Sequence, residues 1–140
     1  MNRKSLAILV YGVLALLLLS ELWFSNVASF AIIAETAEAR GLSISAERMR
    51  LYISIVLDAI GGGGAIIVIL GLLAKSVNLT KRAIAISFAG TLLYGGYQFF
   101  LAMFQLAPHW RGATIIVGVI YILFGLLARF LGNIAIEQGL

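Results

Sequence analysis

The sequence predicts an all-α integral membrane protein with four transmembrane helices, and three observations predict it. Four apolar runs, Leu6–Ala34, Leu51–Ala74, Ala83–Ala107 and Gly112–Ile136, fill most of the 140 residues. Each is long enough to cross a bilayer, which takes about 20 apolar residues. Hydrophobic residues make up 62% of the chain and charged residues 11%, where about 25% charged is usual for a soluble domain. The only charges inside the runs are Glu21, Asp58 and Arg129. The expected organisation is one four-helix domain over residues 1–140, with spans at about 6–26, 51–74, 83–107 and 112–132.

Charge sets the expected orientation. With the N-terminus inside, the cytoplasmic positions hold Arg3, Lys4, Lys75, Lys81, Arg82 and Arg129, and the outer ones Arg40, Arg48, Arg50 and Arg111. Positive residues accumulate on the cytoplasmic side, so the expectation is N-in and C-in, in a bacterial or archaeal plasma membrane. The Lys75–Arg82 stretch is the firmest marker, because no acid accompanies its three cations. The net charge of +4 is spread over these connections and is no signal of nucleic-acid binding. Arg3 and Lys4 ahead of Leu6–Leu19 also have the opening pattern of a secretory signal, with Val27–Ser29 as a weak cleavage site. Retention as an uncleaved span is the reading adopted.

The first run is too long for one simple span. A helix over Leu6–Ala34 would extend roughly 44 Å at 1.5 Å per residue, against a hydrocarbon core of about 30 Å. Trp23 is a natural interface anchor, which places the membrane exit near Trp23–Asn26. The remainder to Arg40 is then an outer helical segment between the first two spans. Gly41 can end it in the left-handed cap conformation. Ser45 can cap the next helix, with Glu47 in its first turn, and Arg48 and Arg50 are placed to snorkel to headgroups. The third span carries no charge, and the fourth starts behind His109, Trp110 and Arg111. Pro108, the single proline, falls between these two spans, so no span should kink at a proline.

Glycines mark where helices meet. Gly118, Gly125 and Gly132 recur at heptad spacing, as do Gly64 and Gly71, and small residues in such a row let backbones approach closely. Gly61, Gly62, Gly63 and Gly64 put small residues on every face at once. That run reads either as a tight crossing or as a partly unwound segment beside a binding site, as in transporters. It is no phosphate loop, because no Lys-Ser/Thr follows.

Asp58 is the most informative residue. It sits seven residues beyond Leu51, roughly 10 Å along a helix, and an intramembrane acid is a functional candidate that costs about 3 kcal/mol to insert. A structural hydrogen bond to Gln98 or a tyrosine hydroxyl, or an ion pair with a partner, is the alternative. Glu21 is the second candidate. With Ser25 and Ser29 it falls at i, i+4, i+8, one stripe of an α-helix. Counted by depth, Asp58, Glu21, Tyr94, Tyr97 and Gln98 share the outer half, with Thr114 opening the fourth span; this predicts a polar pocket or partner surface there. Gln98 and Gln105 share one helical face.

Several chemistries are excluded or left without support. With zero cysteines there is no disulfide, thiolate metal site or dithiol redox centre, and one histidine, His109, cannot supply a bis-histidine haem. No catalytic, cofactor or metal signature is present, so the expectation is not an enzyme. The first functional expectation is an accessory or structural subunit of a larger membrane complex, packing through glycine-rich faces. Its partners would be the lipid bilayer and protein subunits or further copies of itself. The second is a small oligomeric proton- or cation-coupled transporter or channel using Asp58.

Overall fold

The computed structural model describes residues 2–104 and 108–139, and within them the chain is helical almost throughout. Helix α1 (Arg3–Ser20) continues into a π-helical stretch, Glu21–Val27, and a 3₁₀ stretch, Ala28–Ile32, before α2 (Ile33–Arg40). Helices α3 (Ile44–Leu73), α4 (Val77–Phe104) and α5 (Pro108–Glu137) follow. Four helical segments are long and apolar enough to cross a membrane: Arg3–Arg40, Ile44–Leu73, Val77–Met103 and His109–Glu137.

Local chemistry explains the boundaries. The Asn2 side chain caps α1 by accepting from the Ser5 amide at 2.7 Å, which satisfies a donor that has no partner within the helix. Gly41 takes φ 73°, ψ 31°, the left-handed conformation that costs glycine nothing. This lets the Gly41 and Leu42 amides donate to the Glu38 and Ala37 carbonyls. The cap of α3 is Ser43, whose Oγ accepts from the Ala46 amide at 3.1 Å, and not Ser45. Both serines have suitable chemistry, but the two-residue exit from α2 lets the helix start two residues earlier. Between α3 and α4 the turn is short: Lys75 adopts φ 56° and the Ser76 amide returns to the Gly71 carbonyl at 3.0 Å. Lys81 and Arg82 are therefore already helical, within α4 and not in a loop. Pro108 stands at the first position of α5, where its missing amide hydrogen costs no bond.

The first helix does not break at Trp23. It winds on through wider and then tighter turns until Ile32, whose φ −128°, ψ 38° lies outside the helical region.

The helices close into a ring in which α1 packs on α3 and α5, α3 on α4, and α4 on α5. The end holding both termini has a plain core, with Ala7, Tyr11 and Leu14 of α1, Val68 and Leu72 of α3, and Ala128 and Leu131 of α5 all buried. Large apolar side chains such as Leu16, Leu70, Leu93, Leu123 and Phe130 point outward instead, the distribution of a surface that meets lipid and not water.

Glycine sets the closest approaches, and it does so inside the bundle. A Cβ on Gly90 would lie 2.4 Å from the Gly61 amide nitrogen, one on Gly64 would lie 2.7 Å from that of Ser87, and one on Gly118 2.9 Å from the Gly95 carbonyl. Gly71, Gly125 and Gly132 meet Thr80, Thr91 and Ile84 in the same way. The Ser87 hydroxyl also donates to the Gly61 carbonyl at 2.9 Å. The four-glycine run is continuous α-helix, so it is a crossing and not an unwound segment. Gly61 and Gly62 admit Leu18 and Leu19 of α1, Gly64 admits α4, and only Gly63 faces open space.

Candidate functional site

The α2 end of the bundle holds a polar interior. Asp58 is completely buried on α3, and its Oδ2 accepts from Asn26 Nδ2 at 2.7 Å. Its other oxygen, Oδ1, and the Ser54 hydroxyl one turn earlier are buried with no hydrogen-bond partner among the described residues. Orphaned buried polar atoms are uncommon because each forfeits its solvation without compensation. The two lie at i and i+4, on one face of α3.

Glu21 is the second anchor. Its Oε1 accepts from the Tyr94 hydroxyl and its Oε2 from the Tyr121 hydroxyl at 3.0 Å. The two tyrosine rings meet edge to face, with centroids 5.0 Å apart, so α4 and α5 fix both donors. The single ion pair among the described residues is elsewhere, between Glu47 and Arg50 of α3. Neither Glu21 nor Asp58 therefore has a cation at contact distance.

The π-helical stretch explains how α1 delivers these groups. Its i→i−5 hydrogen bonds, such as the Ala28 amide to the Trp23 carbonyl, bring residues five apart onto one face. Glu21 and Asn26 both turn inward, while Ser25 is exposed. The α-helical stripe Glu21–Ser25–Ser29 is thus not what faces the bundle. The Ser29 hydroxyl folds back on the Ser25 carbonyl, the local bonding that serines use inside helices.

Near the α2 end a closed ion pair completes the polar core. Glu47 is fully buried and holds the Arg50 Nε at 3.1 Å through both carboxylate oxygens. Arg50 therefore does not snorkel outward as the sequence suggests, although Arg48 is exposed. Trp110 Nε1 donates to the Ala39 carbonyl at 3.0 Å, and Arg40 lies over the Trp110 ring at 5.3 Å. These two contacts clip α2 to the start of α5. Beside Glu21 they leave a cavity of about 130 Å³ lined by Glu21, Arg40, Gln98, Trp110 and Thr114.

Of the residues singled out in the sequence, Glu21, Asp58, Tyr94 and Gln98 gather in this region. The Tyr97 ring stacks on that of Phe100, with centroids 6.1 Å apart. Gln105 lies outside the described residues. Asp58 bonds neither to Gln98 nor to a tyrosine; the hydroxyls of Tyr94 and Tyr121 go to Glu21 instead. Asn26, Ser54 and Tyr121 belong to the site but carry no sequence pattern that marks them. His109 stands beside Trp110, with ring centroids 5.9 Å apart, and no cluster of three metal-ligating side chains occurs among the described residues. No protein-family model, no curated protein and no solved structure matches this chain.

Proposed function

We propose that this chain is a small proton- or cation-coupled transporter or channel of the membrane, with Asp58 and Glu21 as the ion-binding pair. The observation that carries it is two carboxylates held inside the bundle, Asp58 with one oxygen unpartnered and Glu21 bonded to two tyrosines, neither in an ion pair with a cationic side chain among the described residues. Removing a carboxylate from water without a partner costs far more than the protein's few hydrogen bonds return. In this reading Asp58, which has no cationic side chain against it among the described residues, takes up the positive charge, and a proton or a small cation is the carrier that fits. The unpartnered Oδ1 of Asp58 is where it binds. In this reading the α2 end faces outside and the termini face the cytoplasm, in keeping with the bias of lysine and arginine. Four helices enclose little space, so the working form is an oligomer.

Reconstituted vesicles test it. A potential-driven flux of H⁺, Na⁺ or K⁺ is expected from the wild type, and Asp58→Asn should lower it at least tenfold while the protein stays helical and monodisperse. Equal flux in the variant, or no flux of any of the three ions above protein-free vesicles, would sink the proposal.

The subunit reading keeps one specific support. A broad apolar groove of about 500 Å³ runs between α1 and α3, bordered by Gly12, Leu16, Trp23, Phe24, Ile66 and Ile69, and it has the shape to receive another transmembrane helix. Gly12→Cys would be the only cysteine in the chain, and crosslinking from it to a protein partner at high yield would favour this reading. A lone, uncrosslinked species would count against it.

A further inference from the structure

The cavity beside Glu21 is chemically bipolar. Glu21 contributes a carboxylate and Arg40 a guanidinium to one space of about 130 Å³. Both have capacity to spare. A carboxylate offers about four acceptor sites, of which Tyr94 and Tyr121 occupy two. The five guanidinium donors of Arg40 meet no acceptor among the described residues, and its contact there is with the face of Trp110. Gln98 and Thr114 line the same space and are more than nine-tenths buried, and neither side chain has a hydrogen-bond partner among the described residues. Neither is sealed off as Ser54 Oγ and Asp58 Oδ1 are; their polar atoms open onto this space and can bond to a molecule within it.

We infer that this cavity binds a small zwitterion, a molecule carrying a primary ammonium and an anionic oxygen group a few atoms apart. Its ammonium sits against Glu21 and its anionic oxygens against Arg40, with the Gln98 amide and the Thr114 hydroxyl satisfying its remaining polar atoms. Charge decides between ligand classes: a plain cation faces Arg40 and a plain anion faces Glu21, so either meets repulsion along with attraction. A cavity of about 150 Å³ holds one benzene, so the space itself takes roughly six non-hydrogen atoms, and a somewhat larger group extends through its open side. A free amino acid such as β-alanine satisfies this chemistry, and so does the phosphoethanolamine headgroup of a lipid reaching in from the bilayer surface. A phosphocholine headgroup does not, since its quaternary ammonium has no hydrogen to donate to Glu21. The inference rests on the proposed carrier only for its consequence, that the zwitterion is the cargo; Glu21 then touches both cargo and coupling ion.

The test is direct binding to the full chain in phosphatidylcholine nanodiscs. β-Alanine is titrated by calorimetry against its single-charge analogues propionate and propylamine. In a second arm, thermal unfolding is compared between phosphatidylcholine discs and discs containing phosphatidylethanolamine. Binding of β-alanine at least tenfold tighter than either analogue assigns a soluble ligand. A midpoint raised by phosphatidylethanolamine, without β-alanine binding, assigns the lipid headgroup. In either case Arg40→Gln and Gln98→Leu should weaken the effect at least tenfold, and Arg40→Lys should retain part of it in a protein of unchanged helicity. Discrimination absent in both arms, or unaffected by Arg40→Gln and Gln98→Leu, overturns the inference. Failure of the carrier reading looks different: Asp58→Asn would leave ion flux unchanged whatever the zwitterion does.

Discussion

The two ends of this bundle solve the same packing problem with different materials. At the termini end, alanine, leucine and valine fill the space between helices, and small residues such as Gly71 and Gly132 admit Thr80 and Ile84. At the α2 end the same four helices enclose Glu21, Asn26, Glu47, Arg50, Ser54, Asp58 and Gln98. Apolar packing needs only shape, whereas a polar interior needs every donor matched to an acceptor. The α2 end meets that requirement for Glu47 and Arg50, and for Glu21 as far as its two tyrosines go, but leaves Asp58 Oδ1 and Ser54 Oγ unmatched. One end is thus held by shape alone, and the other by polar pairings that are only partly complete.

Substitutions at each end can break that contrast. The largest loss of stability is expected from Glu47→Ala, which strands Arg50 as a buried charge without its partner. Such breaks cost about 3–5 kcal/mol, read as a lowered midpoint of thermal unfolding in detergent. Replacing both members with leucine should restore most of the loss, and a single and double replacement of equal cost would show that the pair is solvated after all. Leu72→Ala comes next. Lipid is as apolar as leucine, so the transfer part of the usual penalty falls away and the cavity part remains, leaving about 2 kcal/mol. The contrast requires that this variant keep its ion flux per folded molecule, as Asp58→Asn must lose it; a flux defect in Leu72→Ala would show that the two ends are not separable. Gly63→Ala should do least. Nothing lies within 4 Å of a Cβ there, and alanine improves helix propensity by up to about 1 kcal/mol, so the midpoint should hold or rise slightly. A drop would place a neighbouring copy against that face.

The two ends were not equally legible in the sequence. Run lengths and composition foretell four helices long and apolar enough to cross a membrane, and Gly41 foretells the end of α2. The glycine rows also identify crossings, because small residues act through shape, which spacing reports directly. The polar end was readable in its members but not in its pairings. Asp58, Glu21, Tyr94 and Gln98 stand out as polar residues in apolar runs. That Asp58 would find Asn26 depends on helix register, and a period of 3.6 residues directs attention to Ser25 instead. Arg50 reads as a headgroup anchor from its position before the second apolar run. Its burial follows from a partner three residues earlier and from α2 folding over it, which is a tertiary fact. Tyr121 is one apolar-run residue among many until α5 is docked on α4.

The widened turns of Glu21–Val27 also constrain chain length. Every residue beyond them is carried round the axis relative to where an uninterrupted α-helix would set it, and one residue of an α-helix corresponds to about 100°. The stretch therefore works as a phase adjuster between two otherwise ordinary helical pieces. Its upstream edge aims a carboxylate at two tyrosines, and its downstream edge aims an amide at Asp58. Composition alone could be conserved here and the arrangement still lost, because taking out a single residue would swing one edge off target while leaving every side chain present. In this segment the count of residues carries information that their identities do not.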